Sequence, residues 1–385
     1  MKRITVLLLL CAVCFSCSEF ENTLPDFEPP SDDFTLGEVA KILSSLPLGP
    51  DQLQEVYDAS SSSSVNGYDE EYTLSDLLTS PGSGVGDDPE RASLRALKYK
   101  TPLKDLFEEY FERNPKSFTK GGSAGAQECL RRLKETDFQI YTPYSDKWDG
   151  ESYPIITFDP GYGAESNFGY EICFDDEGAR IVDSVYVDEN IARSRPVWVI
   201  NNNDDSAFTP MEMVVPLNFK SSKDGLKSMG RTLLLKSITM LRNYDSWFGG
   251  ASEFFIKCGS ASGFKGTTDE DLKHFSPSLT DFMIVVKRQY LGVEIPLDAI
   301  MVSDFTSQMD KLAFLMIEDD GGSRTEWKCQ ATVKVNSKAY GFDINIPYNE
   351  KDDIVWRGQL AASFFQSEDI VGGRFGDVRV TFALE

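Results

Sequence analysis

Residues 232–258, TLLLKSITMLRNYDSWFGGASEFFIKC, decide the fold. Thr232 to Leu241 is a β-rich run, Asn243 to Gly250 a turn-rich loop, and Ala251 to Cys258 the next strand. Further short runs at 282–286, 312–317, 330–335, 340–346 and 377–384 repeat this rhythm, with turn residues between them and no helical periodicity. Seven strands so spaced predict an antiparallel β-sandwich over residues 229–385. Upstream, Ile155–Phe158, Tyr170–Phe174, Ile181–Val187 and Val197–Ile200 are again β-rich and bounded by Gly, Asp, Asn and Pro. Asp175-Asp176-Glu177-Gly178 joins two of them like a hairpin turn. Residues 138–228 therefore read as a β-rich middle domain.

Residues 35–137 have a different period. Leu36, Val39, Ala40 and Leu43 follow the i, i+3, i+4, i+7 spacing of an amphipathic helix, which Pro47 and Pro50 stop. A second helix begins near Asp51 and runs through Tyr57, and the five serines Ser60–Ser64 read as a flexible linker. Short helices follow at Leu74–Leu78, Pro102–Arg113 and Ala124–Glu135. None is long enough to be stable alone, so they are expected to pack on the later sheet. The fold class is mainly β with a small helical N-terminal region.

The chain has 385 residues, 41% hydrophobic, with 26 Phe and 15 Tyr, enough to fill real cores and to exclude a disordered protein. Its formal charge is −24, which excludes nucleic acid as a partner, because that binding rests on cations that neutralise phosphates. Cys129, Cys173, Cys258 and Cys329 follow no CxxC spacing, and four thiols or two disulfides fit equally.

A single histidine, His274, rules out HExxH and multi-histidine zinc sites. It sits in the charged segment Asp271–Phe275, and no GxxxxGK[ST] or GxGxxG occurs in the chain; the string Gly121-Gly122-Ser123-Ala124-Gly125 matches GxSxG but follows no β-rich run of the kind a nucleophile elbow needs. No catalytic residue is assigned. A glycoside hydrolase would need only two carboxylates, which 62 acidic residues leave untested.

Acidic loops at sandwich ends carry a more specific signal. Asp245 follows the first strand of the opening stretch, and Glu253 begins the next. Glu318-Asp319-Asp320-Gly321-Gly322 follows the strand 312–317, and Asn349–Ile354 forms another acidic loop. These loops resemble the first and third calcium loops of a C2 domain, with Glu253 standing where a second Asp is usual. The resemblance implies Ca²⁺ as cofactor, held by Asp245, Glu253, Glu318, Asp319 and Asp320, because Ca²⁺ takes six to eight oxygen ligands from such loops.

Aromatic residues offer a second hypothesis. Trp148, Trp198 and Trp247, together with Tyr141, Tyr144 and Phe208, lie near strand ends or loops, where exposed rings could stack on sugars. The plain alternative is core packing.

Met1-Lys2-Arg3, an apolar run from Ile4 to Phe15, and Ser16-Cys17 have the layout of a secretory signal peptide over residues 1–16. The run is too short to span a bilayer, which takes roughly 20 apolar residues. Cys17 after a small residue resembles a lipoprotein signal and implies acylation of Cys17. Residues 17–34 then read as a flexible acidic tether. The start SCSEFEN, the acidic balance and the β-rich body resemble uncharacterised surface lipoproteins of Bacteroidota, which implies an outer-membrane location. Asp183-Ser184-Val185 and Asp205-Ser206-Ala207 resemble the O-glycosylation triplet of that group, with Ser206 the better candidate because Ser184 falls in a strand. The leading expectation is a lipid-anchored cell-envelope protein with a non-catalytic binding or assembly role and structural calcium in its C-terminal loops, its partner a glycan or an envelope protein. A glycan-binding lipoprotein is second, and a hydrolase third.

Overall fold

The computed structural model describes residues 33–79, 99–118, 122–123, 125–203, 210–211 and 231–385. The signal peptide, Cys17, most of the tether, Phe208 and Ser206 lie outside these residues.

Helix α1 (Leu36–Ser45) starts at a capping box: the Glu38 amide donates to Thr35 Oγ1 (3.2 Å) and the Thr35 amide to Glu38 Oε2 (3.0 Å). Phe34, placed in the tether by the sequence, is buried and packs on Phe111 and Phe118, so the tether ends one residue earlier. Helix α2 (Pro50–Val65) contradicts the serine linker. Leu53, Val56 and Ala59 bury one side, Ser60 is fully buried, and Ser62 Oγ donates to Ala59 O (2.7 Å). Burial of that face overrides the weak helix preference of serine. Helices α3 (Leu74–Leu77), α4 (Leu103–Arg113) and α5 (Ala126–Lys134) follow.

These helices cover one face of a six-stranded sheet. Its strands are β1 (Glu71–Thr73), β4 (Phe138–Tyr141), β5 (Ile155–Phe158), β6 (Ser166–Phe174), β7 (Arg180–Asp188) and β8 (Val197–Asn202). Strands β2 (Ser117–Phe118) and β3 (Gly122–Ser123) form a small ladder apart. The order β1-β4-β8-β5-β6-β7 is antiparallel except for the parallel pair β5 and β8. Val39, Leu43, Phe107 and Leu133 share one core with Ile140, Ile156 and Ile200. The helical region and the middle strands thus fold around the same apolar layer.

The C-terminal half is a β-sandwich. One sheet runs β12 (Ile295–Phe305), β9 (Arg231–Met240), β18 (Val378–Leu384), β17 (Ile370–Phe375). The other contains β11 (Ser278–Val286), β10 (Ser252–Ser260), β13 (Met309–Glu318), β14 (Arg324–Val335) and β15 (Lys338–Asn349), with β16 (Asp353–Ala361) also paired to β13. Leu235, Phe254, Ile284, Met301, Phe314 and Phe382 fill the space between the sheets. Strand β14 meets β13 only at Met309↔Val333 and Lys311↔Thr332, while β16 pairs from Lys311 to Glu318. The β14–β15 hairpin therefore lies across the outer face, where Ala331, Ile344 and Ile346 pack on Phe255, Met283 and Leu315. Covered on both faces, all nine residues of β10 are buried. Strands β12, β16 and β17 escape the sequence pattern because Pro296, Gly358 and Gly372-Gly373 interrupt them.

The two halves meet through the loop 241–251. Trp247 and Phe248, both fully buried with ring centroids 4.0 Å apart, enter the second face of the six-stranded sheet among Tyr141, Ile155, Val187, Val197 and Val199. The Trp247 indole N–H donates to Glu165 O (3.0 Å), and Asn201 Nδ2 donates to Phe248 O (3.2 Å).

Gly376 begins the two-residue turn between β17 and β18 with φ +61°, and a Cβ there would sit 2.1 Å from the carbonyl oxygen of Val355. Gly376→Ala is expected to destabilise the protein by about 2 kcal/mol or more, since neither the backbone conformation nor the space suits a side chain. Urea denaturation reads this directly; a midpoint equal to the parent's would refute it.

Candidate functional site

The acidic loops named from sequence converge only in part. Asp245, Glu318 and Asp320 each offer a carboxylate oxygen, and these oxygens all lie within 4.8 Å of one another. Ligands on one Ca²⁺, at 2.3–2.6 Å each, stand up to about 5 Å apart, so the spacing suits that ion. Asp245 comes from the loop after β9, Glu318 from the end of β13, and Asp320 from the turn that follows.

Glu318 is the decisive member. It is 0% exposed, no Lys, Arg or amide side chain meets its carboxylate among the described residues, and what approaches it is the Asp245 carboxyl and the Glu253 main-chain amide. It faces the carboxylate of Asp245, a second acceptor. Burial first, and then Asp245, drive the Glu318 carboxyl far above its ordinary range. Two such acceptors need either a shared proton or a cation between them. Asp320 is pushed up to about 6, by burial first and then by Asp245 and Asp353.

Asp319 and Glu253 stand differently. Asp319 Oδ1 accepts from Asn349 Nδ2 (3.0 Å) and from the Gly321 amide (3.1 Å), so it braces the turn beside the cluster. Glu253 is a buried β10 residue paired with Val285 and lies outside the three-carboxylate group. Its alternation along the strand turns it from the face that holds Phe254. The acidic segment 349–354 adds Asp352, which accepts from the Asn349 amide (2.7 Å), and Asp353, whose charge acts on Asp320.

The same loop meets a buried charged seam. The Ala251 amide donates to Asp69 Oδ2 (2.8 Å), and Arg288 donates to Asp245 O (3.2 Å) and to Glu189 Oε1 (3.0 Å). Glu70, 5% exposed, accepts from the Tyr144 amide and from Ser145 Oγ (3.0 Å each), with Lys287 Nζ 3.9 Å away. Its carboxyl is pushed up to about 7, by burial first and then by the charge of Asp69. Sequence alone could not find this seam, because its hydrogen-bonded partners are 43 to 182 residues apart and follow no motif.

The three tryptophans separate. Trp247 is buried and presents no face to a sugar, which corrects its assignment as a binding residue; its hydrophobic area is spent on joining the two halves. Trp148 and Trp198 line one cavity of about 180 Å³ in the N-terminal half, together with Tyr57 and Tyr144. Trp148 is half-buried, its Nε1 donates to Ser152 O (2.9 Å), and its ring centroid lies 5.0 Å from that of Tyr57. Tyr144 holds an unusual left-handed backbone (φ 58°), pinned by its amide bond to Glu70 and by its hydroxyl bond to Glu189 (2.7 Å).

His274 is exposed on the short helix Asp269–His274, with Nε2 2.8 Å from Glu270 Oε1. Cys129, Cys173, Cys258 and Cys329 are free thiols, Cys129 and Cys258 buried. No described helix is long and apolar enough to cross a membrane. No family model matches the chain, and no curated protein or solved structure matches it either.

The raised carboxyl of Glu70 sets a pH dependence. Because the folded state holds this proton more tightly than the unfolded chain, its contribution is fully present below pH ~4.5 and is lost as pH rises through about 7. Melting curves across that window should show Glu70→Gln flattening the decline, by on the order of 2–3 kcal/mol at the alkaline end. Parallel pH profiles for the two proteins would rule this out.

Proposed function

We propose that this is a lipid-anchored envelope protein with a non-catalytic binding or assembly role, whose C-terminal sandwich carries a structural Ca²⁺ ion. The anchor rests on the sequence from Met1 to Cys17. The cation rests on one observation: a fully buried glutamate, Glu318, that no Lys, Arg or amide side chain meets among the described residues and that a second carboxylate faces. A divalent ion placed among Asp245, Glu318 and Asp320 would displace the proton and supply the missing partner. Three carboxylates leave the remaining coordination positions to water or main-chain oxygens.

The position of the site explains what the ion would do. Asp245 precedes Trp247 by two residues, and Trp247 is the side chain that docks the sandwich onto the N-terminal half. An ion holding Asp245 to the end of β13 would fix the root of that loop. Its contribution is conformational, and it stabilises the folded state by mass action.

Thermal unfolding in EDTA and in millimolar CaCl₂ tests this. The expected result is a saturable rise of several degrees with Ca²⁺, smaller with Mg²⁺, and absent in Asp245→Asn. Glu318→Gln should abolish the response while melting above the parent in EDTA, because the neutral amide removes the buried carboxyl pair. An unchanged melting temperature across all metal conditions would sink the proposal.

A further inference from the structure

The cavity beside Trp148 has a chemistry opposite to that of the chain around it. The protein carries 62 acidic and 38 basic residues, yet none of the residues lining this cavity is acidic, and Lys147, Arg193 and Arg195 stand on it. All three cations are exposed, while the aromatic residues beneath them are buried or half-buried. The Lys147 ammonium lies 4.4 Å from the Tyr144 ring centroid and has no ion-pair partner among the described residues. Arg193 shares the carboxylate of Glu189 with Arg288, so two guanidinium groups face one carboxylate. Arg195 pairs with Glu171, a partly exposed pair that a competing anion can displace at little cost.

The apolar part is equally defined. Tyr57 and Trp148 offer tilted ring faces, Trp198 adds a buried wall, and the Trp148 ring is held by its bond to Ser152. The volume of about 180 Å³ is comparable to the 150 Å³ cavity that accepts one benzene ring, so it admits a single six-membered ring. The hydroxyls of the lining residues Thr142, Ser145 and Ser194 already donate to Glu70 O, Glu70 Oε1 and Ile191 O, so toward a ligand their oxygens can only accept, which suits a ring that carries its own hydroxyl donors. Rings stacked on aromatic faces, hydroxyls along the wall and planar guanidinium forks at the rim together select a carboxylated sugar.

We propose that this cavity binds one hexuronic acid residue, with its ring against Trp148 and Tyr57 and its carboxylate toward Lys147, Arg193 and Arg195. The proposal rests on the protein being a binding protein and does not depend on the cation. Every lining residue lies between Leu53 and Trp198, in the half that contributes no carboxylate to the acidic cluster.

Isothermal titration of the full-length protein with glucuronate, galacturonate, glucose and benzoate tests it, once in CaCl₂ and once in EDTA. A uronate should bind about tenfold or more tightly than glucose, and binding should weaken as NaCl is raised. The same affinity is expected in EDTA, so a silent cation site does not silence this test. The double variant Lys147→Ala, Arg195→Ala should lose about tenfold in affinity with its melting temperature unchanged, because both side chains are exposed. Trp148→Leu should remove binding, and retained far-ultraviolet dichroism shows that it still folds. No heat with either uronate up to tens of millimolar would overturn the proposal. Equal affinity for glucose would overturn the role of charge, and benzoate binding as tightly as glucuronate would overturn the sugar.

Discussion

The placement of Trp247 and Phe248 is the constraint on which the rest of the molecule depends. A six-stranded sheet with helices on one face leaves its other face apolar, here Tyr141, Ile155, Val187, Val197 and Val199. A sheet face of this kind must be covered by another layer. Among the described residues the cover is mainly the rings of Trp247 and Phe248 from a loop of the sandwich, with Tyr144, and Ala192 of the short helix Glu189–Ala192, beside them. Full burial of a Trp or Phe side chain removes a large apolar area from water, and truncating one costs about 3–5 kcal/mol in typical cores. The loop must also satisfy its own polar groups on the way in. The bonds from Asn201 to Phe248 O and from the Trp247 indole to Glu165 O do that.

Charge is arranged around this contact. Within a chain of net charge −24, Lys287 and Arg288 are placed at the seam between the halves, beside Asp69, Glu70 and Glu189. Buried carboxylates are tolerated there because cations and main-chain amides meet them. At the other end of the same loop Arg288 reaches only the main-chain oxygen of Asp245, and its charge acts on the Asp245 carboxyl without forming an ion pair with it. That contrast separates carboxylates met by cations from carboxylates that face one another.

Much of the architecture is written locally. The strand 155–158, the hairpin turn at Asp175–Gly178 and the first helix through Leu36, Val39, Ala40 and Leu43 all depend on neighbours in sequence, and the structure has each where the pattern puts it. Helix α2 runs through Ser60–Ser64 because Leu53, Val56 and Ala59 have a core to enter, which no local rule could supply. Strand β12 tolerates Pro296, which a local rule counts against a strand. For the acidic cluster, sequence brought forward Asp245, Glu318 and Asp320 but not the difference between them and Glu253 or Asp319. That difference is one of side-chain direction and of a single asparagine, Asn349, thirty residues from Asp319. The fate of Trp247 is a matter of docking: its loop setting resembles that of Trp148, and only the apolar sheet face opposite makes one buried and the other accessible.

Docking by a late loop also fixes an order of events. A polypeptide is made from its N-terminus, and the strands that carry Ile155, Val197 and Val199 exist before Trp247 does. Until residues 247 and 248 arrive, the nascent sheet has a bare greasy side, open to the wrong neighbour. The first half of this protein can thus acquire its helices and its hydrogen-bond ladder early, but it remains an unfinished surface. Its escape from aggregation depends on how quickly the second half is delivered.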